Sequence, residues 1–233
     1  APRYSALASE LGFIFLQECV SHVDELERKI ITSSETELKY SQLVISTGVT
    51  TDYSLVGGLK QYVCGFSDLN DLLKLKELIT LINHNARHTN PLVIVGAGPT
   101  GVELACKLSD LVKNRVEIYL VDKGNEILSK SKSFNKEKAK EAIAKRNITI
   151  CLESYIESIN ENIIELSSVD SERDNSQKIH SAGLVWTAGL TPFRLPLVDN
   201  LLEENKKIKV NKFLQLNEYK NIFWVGDIVF CEK

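Results

Sequence analysis

The chain has 233 residues, 43% of them hydrophobic and 25% charged, with a formal net charge of −3 and a pI near 5.9. That is enough apolar material for one large core or two smaller ones. No basic run points to nucleic acid, no apolar stretch approaches the roughly 20 residues that span a bilayer, and Ala1-Pro2-Arg3-Tyr4 does not open as a secretory signal.

In chain order, Gly12 to Val20 is predicted as a strand because Phe13, Ile14, Phe15 and Leu16 run together. Val23 to Thr32 and Glu37 to Tyr40 read as further short β segments. Leu43-Val44-Ile45-Ser46-Thr47-Gly48 is a buried strand ending at glycine, and Gly57-Gly58 marks a turn. Ser67 to Arg87 is predicted helical, with Leu69, Leu72, Leu73, Leu75, Leu78, Ile79 and Ile82 on one face. Asp68 and Asp71 fall in its first turn, where the helix dipole favours negative charge. A strand at Leu92–Val95, a helix at Thr100–Lys113, a strand at Val116–Val121, a helix at Asn135–Arg146 and a strand at Ile148–Cys151 follow. This β-α-β-α-β order predicts a parallel sheet with right-handed crossovers. Short β segments at Tyr155–Ile159 and Ile163–Leu166 come next, then an exposed loop at Val169–Lys178. The last two apolar strands run from Leu184 to Gly189 and from Ile222 to Asp227.

The five cysteines, Cys19, Cys64, Cys106, Cys151 and Cys231, are widely and irregularly spaced. They carry no zinc pattern, so no metal is expected, and their odd number argues against a disulfide framework. Reduced, mostly buried thiols and a cytoplasmic setting are expected. There is no methionine, and both ends read as mid-domain, so a piece of a longer protein, or a sequence lacking some residues, is expected.

The sharpest motif is Gly96-Ala97-Gly98-Pro99-Thr100-Gly101, between a predicted strand and a predicted helix. Such a loop binds a dinucleotide only in that context. Gly96 permits the tight turn, Gly98 lets a pyrophosphate approach the backbone, and Gly101 lets helix and strand pack closely. Pro99 suits the first helical position, and the helix start attracts an anion. Asp122 lies 21 residues beyond Gly101, after the next strand, where an acid accepts hydrogen bonds from the ribose hydroxyls of NAD. It favours NADH over NADPH, a preference weakened by Lys123 beside it. Glu103 has two readings: favourable charge in a first helical turn, or contact with the nicotinamide ribose or flavin edge. The turns at Thr47-Gly48, Ala188-Gly189 and Gly226-Asp227 each close an apolar strand where a ligand can lie. Asp227 is either a turn cap or an acceptor for ribityl hydroxyls. His22, His84, His88 and His180 fit surface positions, with no partner carboxylate or metal pattern nearby.

Four stretches, in order, resemble type II NADH dehydrogenases, the NADH:quinone oxidoreductases of the pyridine nucleotide-disulfide oxidoreductase superfamily. They are Tyr40-Ser41-Gln42-Leu43-Val44-Ile45-Ser46-Thr47-Gly48; the run from Val93 through Gly96-Ala97-Gly98-Pro99-Thr100-Gly101-Val102-Glu103 to Ala105; Val185-Trp186-Thr187-Ala188-Gly189-Leu190-Thr191-Pro192; and Phe213-Leu214-Gln215 leading to Val225-Gly226-Asp227. Leu190-Thr191-Pro192 is similar to the cyanobacterial and plastid branch, which reduces plastoquinone- or phylloquinone-type quinones. The resemblance implies an α/β fold: a Rossmann-like NADH-binding domain inserted into an incomplete FAD-binding domain, with a small β-meander. The implied segments are 1–64 and 183–233 for the FAD domain and 65–182 for the NAD(P)H domain. FAD and NAD(H) are the implied cofactors, with Gly96, Gly98, Gly101 and Asp122 on NADH, Glu103 nearby, and Thr47, Gly48 and Asp227 facing FAD. The implied chemistry is hydride transfer from nicotinamide C4 to flavin N5, then electron transfer to a quinone. Peripheral association with the cytoplasmic face of a membrane through a region after Lys233, and a homodimer, are compatible with it. A related reductase with a ferredoxin or disulfide acceptor, and a non-enzymatic NADH sensor, remain as alternatives.

Overall fold

The computed structural model describes residues 4–52, 62–84, 89–160, 162–170, 176–192, 208–227 and 229–231. The expected Gly57-Gly58 turn, His88, the end of the predicted helix at Arg87 and the middle of the 169–178 loop lie outside them. The chain divides into two compact units: Ala1–Val49 with Pro192–Lys233, and Thr50–Thr191.

The elements in chain order are α1 (Tyr4–Leu11), β1 (Val20–Asp24), β2 (Lys29–Thr32), β3 (Glu37–Lys39), β4 (Leu43–Ile45), β5 (Val49–Thr51), β6 (Val63–Cys64), α2 (Leu69–His84), β7 (Leu92–Val95), α3 (Pro99–Leu111), β8 (Ile118–Val121), α4 (Ser133–Ala144), β9 (Ile148–Cys151), β10 (Ser154–Asn160), β11 (Ile163–Ser168), β12 (Gln177–His180), β13 (Gly183–Trp186), β14 (Leu190–Pro192), β15 (Ile208–Val210), β16 (Ile222–Trp224) and β17 (Val229–Cys231).

The unit Thr50–Thr191 is built on a five-stranded sheet in the order β6-β13-β7-β8-β9. All four pairings are parallel. Side chains alternate across a strand, and β7 shows why all four of its residues are apolar. Leu92 and Ile94 join a core with residues of α2, α3 and α4. Val93 and Val95 join a second core with Ile159, Ile164 and Ile179 of the antiparallel sheet β10-β11-β12. A parallel strand covered on both faces reads as a continuous apolar run. The layers are therefore helices, parallel sheet and β-meander.

One local reading of this unit needs correction. The helix α2 begins at Leu69 and is capped by two acids: the Asp71 N–H donates to Asp68 Oδ1, and Ser67 donates to Asp71 Oδ2 from its N–H and its hydroxyl. This box satisfies donors that the helix start leaves open, and it buries Asp71. Leu75 and Ile82 reach the core, but Leu69, Leu72 and Leu73 are exposed. The regular spacing overstated the buried face: the core takes Leu75 and Ile82, with Leu78 and Ile79 partly buried against it. On α3 the core takes Val102, Leu104, Ala105, Leu108 and Val112, leaving Leu111 exposed.

In the other unit, β1-β2-β3 form an antiparallel sheet and β4 pairs in parallel with β16, Ile45 opposite Trp224. Parallel pairing also joins β15 to β17. Val23, Ile45, Ile208, Val210, Leu216, Ile222 and Trp224 form its core. The β segment expected from Val23 to Thr32 is a hairpin of β1 and β2, turned where Glu27 N–H donates to Asp24 Oδ1. The strand expected at Gly12–Val20 does not form before Val20, and Phe13, Ile14, Phe15 and Leu16 are exposed. A run of apolar residues becomes a strand only where a partner strand takes its hydrogen bonds, and none pairs with 13–18 among the described residues. The cysteines are also less enclosed than expected: Cys19 and Cys231 are exposed, and Cys64, Cys106 and Cys151 are half-buried.

Candidate functional site

The glycine loop joins β7 to α3, at the carboxyl edge of the parallel sheet. Gly96 and Ala97 are buried, while Gly98, Pro99 and Thr100 are exposed and Gly101 is buried again. Gly96 has φ +109°, a conformation that L side chains rarely adopt. A Cβ there would also meet Thr187 Oγ1 at 2.8 Å and Ala188 N at 2.9 Å. A Cβ on Gly101 would stand 1.7 Å from the Gly96 carbonyl oxygen. These two glycines are demanded by the protein's own packing.

Gly98 is different. Its backbone is extended, φ −74° and ψ −177°, a conformation open to any residue. A Cβ there would meet nothing within 4 Å. Neither strain nor packing requires glycine, and the open space lies at the N-cap of α3. No side chain caps that helix, and Pro99 takes its first position. The remaining first-turn N–H groups and the dipole make a place for an anion.

Asp122 follows β8 directly and is half-buried. Its Oδ2 accepts from the Ala97 N–H at 2.6 Å and its Oδ1 from the Gly124 N–H at 2.7 Å. A carboxylate offers about four acceptor positions, so each oxygen retains one for a hydroxyl. Lys123 is exposed, with its ammonium 5.3 Å from the Tyr155 ring centroid. Glu103 is exposed and lines a cleft of about 690 Å³ that runs from Pro99 between α3 and α4.

Ala188 and Gly189 follow β13, which sits between β6 and β7. Although β13 falls late in the sequence, its hydrogen bonds bring this turn beside the glycine loop. Thr187 N–H donates to the Val95 carbonyl at 2.8 Å, and the Trp186 indole N–H donates to the Ala188 carbonyl. Thr187 was not singled out in the sequence, since its place depends on a partner strand 92 residues away.

In the other unit, Thr47 and Gly48 follow β4, and Gly226 and Asp227 follow β16. The two strands are parallel neighbours, and Val225 N–H donates to the Ile45 carbonyl at 3.0 Å, so both turns lie at one carboxyl edge. Gly48 (φ +69°) and Gly226 (φ +114°) adopt the left-handed region, and a Cβ on either would meet nothing within 4 Å. Thr47 and Asp227 are exposed. Among the described residues, no group of three or more His, Cys, Asp or Glu side chains is arranged to hold a metal ion.

The sequence is similar to several oxidoreductases. It is 31% identical over 234 residues to demethylphylloquinone reductase of Synechocystis sp., covering 97% of this chain and 56% of that protein. It is 22% identical over 244 residues to the type II NADH:quinone oxidoreductase of Mycobacterium tuberculosis, covering 91% and 52%. The chain thus spans about half the length of these relatives. NDH2 from Plasmodium falciparum, solved in complex with NADH, superposes with a TM-score of 0.78 at 21% identity, covering 93% of this chain and 50% of that one. A ferredoxin reductase from Rhodopseudomonas palustris superposes at 0.76 with 17% identity, covering 99% and 55%. These likenesses agree with the α/β dinucleotide-binding architecture of the parallel sheet and its glycine loop. The sequence pattern of one family runs through both units, matching residues 5–232, and the chain belongs to that family, the pyridine nucleotide-disulphide oxidoreductases.

Proposed function

We propose that the unit Thr50–Thr191 binds NADH and that the whole protein is a flavin-dependent NADH:quinone oxidoreductase. The observation that carries the NADH reading is Gly98, a glycine that the fold does not need, at an uncapped helix start. A pyrophosphate set there accepts from the first-turn N–H groups of α3. Asp122, held by two backbone donors, meets the adenosine ribose with its remaining lone pairs and disfavours a 2′-phosphate. Ala188 and Gly189 complete the wall of the loop.

At the edge of β4 and β16, Thr47, Gly48, Gly226 and Asp227 suit an FAD. The two glycines keep the approach open, and Asp227 accepts from ribityl hydroxyls. When bound, the flavin supplies hydride acceptance and electron relay to the quinone. The residues of this chain position it and its donor. The similarity to a demethylphylloquinone reductase supports a quinone of that class as acceptor. A quinone dissolved in lipid further implies peripheral attachment to a membrane. Among the described residues, no helix is long and apolar enough to cross one.

Titrating the full-length protein with NADH and with NADPH, and recording its visible spectrum, tests this reading. Saturable NADH binding, a flavin spectrum and bleaching by NADH with reoxidation by a naphthoquinone are expected. A full-length protein that holds flavin but ignores NADH overturns the assignment of the glycine loop.

A further inference from the structure

The hydroxyl of Thr187 occupies the point where the two packing glycines converge. It lies 2.8 Å from the Cβ position of Gly96 and 2.8 Å from that of Gly101. Its one proton is shared between the Val95 carbonyl at 2.8 Å and the Gly96 carbonyl at 3.2 Å. The peptide that carries the Gly96 carbonyl also carries the Ala97 N–H. In a planar trans peptide these two groups point in opposite directions. The Ala97 N–H donates to Asp122 Oδ2 at 2.6 Å. One peptide unit is therefore held from both sides: by a hydroxyl from the end of β13 and by a carboxylate from the end of β8. The two residues directly follow the strands that flank β7.

From this we infer that Thr187 is a positioning residue for the dinucleotide site, acting on Asp122 through the Gly96–Ala97 peptide. Donation to the Gly96 carbonyl polarises the peptide and strengthens the Ala97 N–H as a donor. It also sets the rotation of the peptide plane, which decides where the Asp122 carboxylate rests. Without the hydroxyl, the Gly96 peptide turns, Asp122 loses a fixed anchor, and the ribose meets a carboxylate that must be ordered on binding. The inference rests on the NADH reading above.

The test uses the full-length protein. NADH dissociation constants are measured by calorimetry for wild type, Thr187→Val, Thr187→Ser, Asp122→Ala and the Thr187→Val/Asp122→Ala double variant, with Tm, KM and kcat alongside. Thr187→Val is expected to weaken NADH binding about five- to tenfold, the range of one hydrogen bond, with kcat changed less than twofold. Thr187→Ser restores binding to within twofold. The double variant binds no worse than Asp122→Ala alone, since the acceptor for the Ala97 N–H is already gone. If Thr187→Val does not fold, Thr187→Ala against Thr187→Ser makes the same comparison. Wild-type NADH affinity in the folded Thr187→Val or Thr187→Ala protein, or strictly additive losses in the double variant, overturns the inference and leaves the NADH reading standing. A wild-type protein that does not bind NADH overturns both.

Discussion

A Cβ on Gly101 would stand 1.7 Å from the carbonyl oxygen of Gly96, well inside any contact that real Cβ atoms make. The obstacle is backbone, and it cannot swing aside. Gly101→Ala must therefore push α3 away from β7 and lower stability by ~3 kcal/mol or more, as overpacked buried sites do. Gly98→Ala meets no atom and no forbidden φ. It gives up only the preference for glycine over alanine at an N-cap, about 1 kcal/mol or less. The expected contrast is a large drop in Tm for Gly101→Ala, against a near-normal Tm and at least tenfold weaker NADH binding for Gly98→Ala. Thermal melts and NADH titrations of both variants decide it, and a Gly98→Ala protein that binds NADH normally removes the pyrophosphate from this loop.

Asp122 ties the loop to β8 as well as facing the ribose, so its variants separate two roles. Asp122→Asn keeps one oxygen for either the Ala97 or the Gly124 N–H. Its Tm is expected to fall modestly while NADH discrimination over NADPH shrinks. Asp122→Arg removes both acceptors and adds a charge that suits a 2′-phosphate. NADPH affinity relative to NADH is expected to rise at least tenfold, with weaker binding of both. An unchanged ratio for Asp122→Arg would sink the ribose assignment.

Much of the Thr50–Thr191 unit was legible because its signals are local. The four apolar residues of β7, the Pro at the first position of α3 and the acid after β8 are each written in consecutive residues. The register of β13 is not: its insertion between β6 and β7 places Thr187 against Gly96 through contacts across 91 residues. Exposed apolar runs misled for a related reason. Phe13–Leu16 and the leucines Leu69, Leu72 and Leu73 are the right residue types, but burial is decided by what lies opposite them, which periodicity does not contain.

The end of α4 is tied to α3 by a two-pronged ion pair. Arg146 Nε lies 2.9 Å from Asp110 Oδ1, and a terminal guanidinium nitrogen lies 2.9 Å from Oδ2. Hydrogen bonding to Arg146 holds the Asp110 carboxyl below its ordinary value. A carboxyl whose folded value is depressed stabilises the fold above its unfolded value and loses that contribution as pH falls through the folded one. Wild-type Tm is thus expected to decline below about pH 4, the ordinary carboxylate range. The decline should be shallower for Asp110→Asn, with only a small difference near neutrality because the pair is at the surface. Parallel acid limbs for the two proteins would rule this contribution out.

Thiol reactivity should follow enclosure. Burial pushes the Cys64 thiol up to about 11, helped by the negative charge of Asp71. Its Sγ lies 3.3 Å from the Gly65 and Asp71 carbonyls. At pH 8 only about one such thiol in a thousand is ionised, and the thiolate is the reactive form. Mass spectrometry after brief iodoacetamide treatment is expected to find Cys19 and Cys231, the exposed pair, modified first and Cys64 last. Early labelling of Cys64 in the folded protein would contradict its enclosure.

Asp227 gives the matching prediction for the other unit. In the full-length protein, Asp227→Ala is expected to lose flavin on dialysis, read from the visible spectrum, while NADH affinity stays within twofold. Full flavin retention would remove Asp227 from that role.

The chain's two tryptophans fall one to a unit. Trp224 is fully enclosed in the core formed by the two chain ends. Trp186 sits beneath the Ala188 carbonyl, one residue from the threonine that touches the glycine loop. Each unit thus carries its own intrinsic fluorophore. In a Trp224→Phe variant of these 233 residues the remaining emission reports the glycine-loop unit and any ligand that perturbs it. In a Trp186→Phe protein it reports the melting of the other core. Comparing the two denaturation curves then reveals whether the halves unfold as one cooperative body or in sequence.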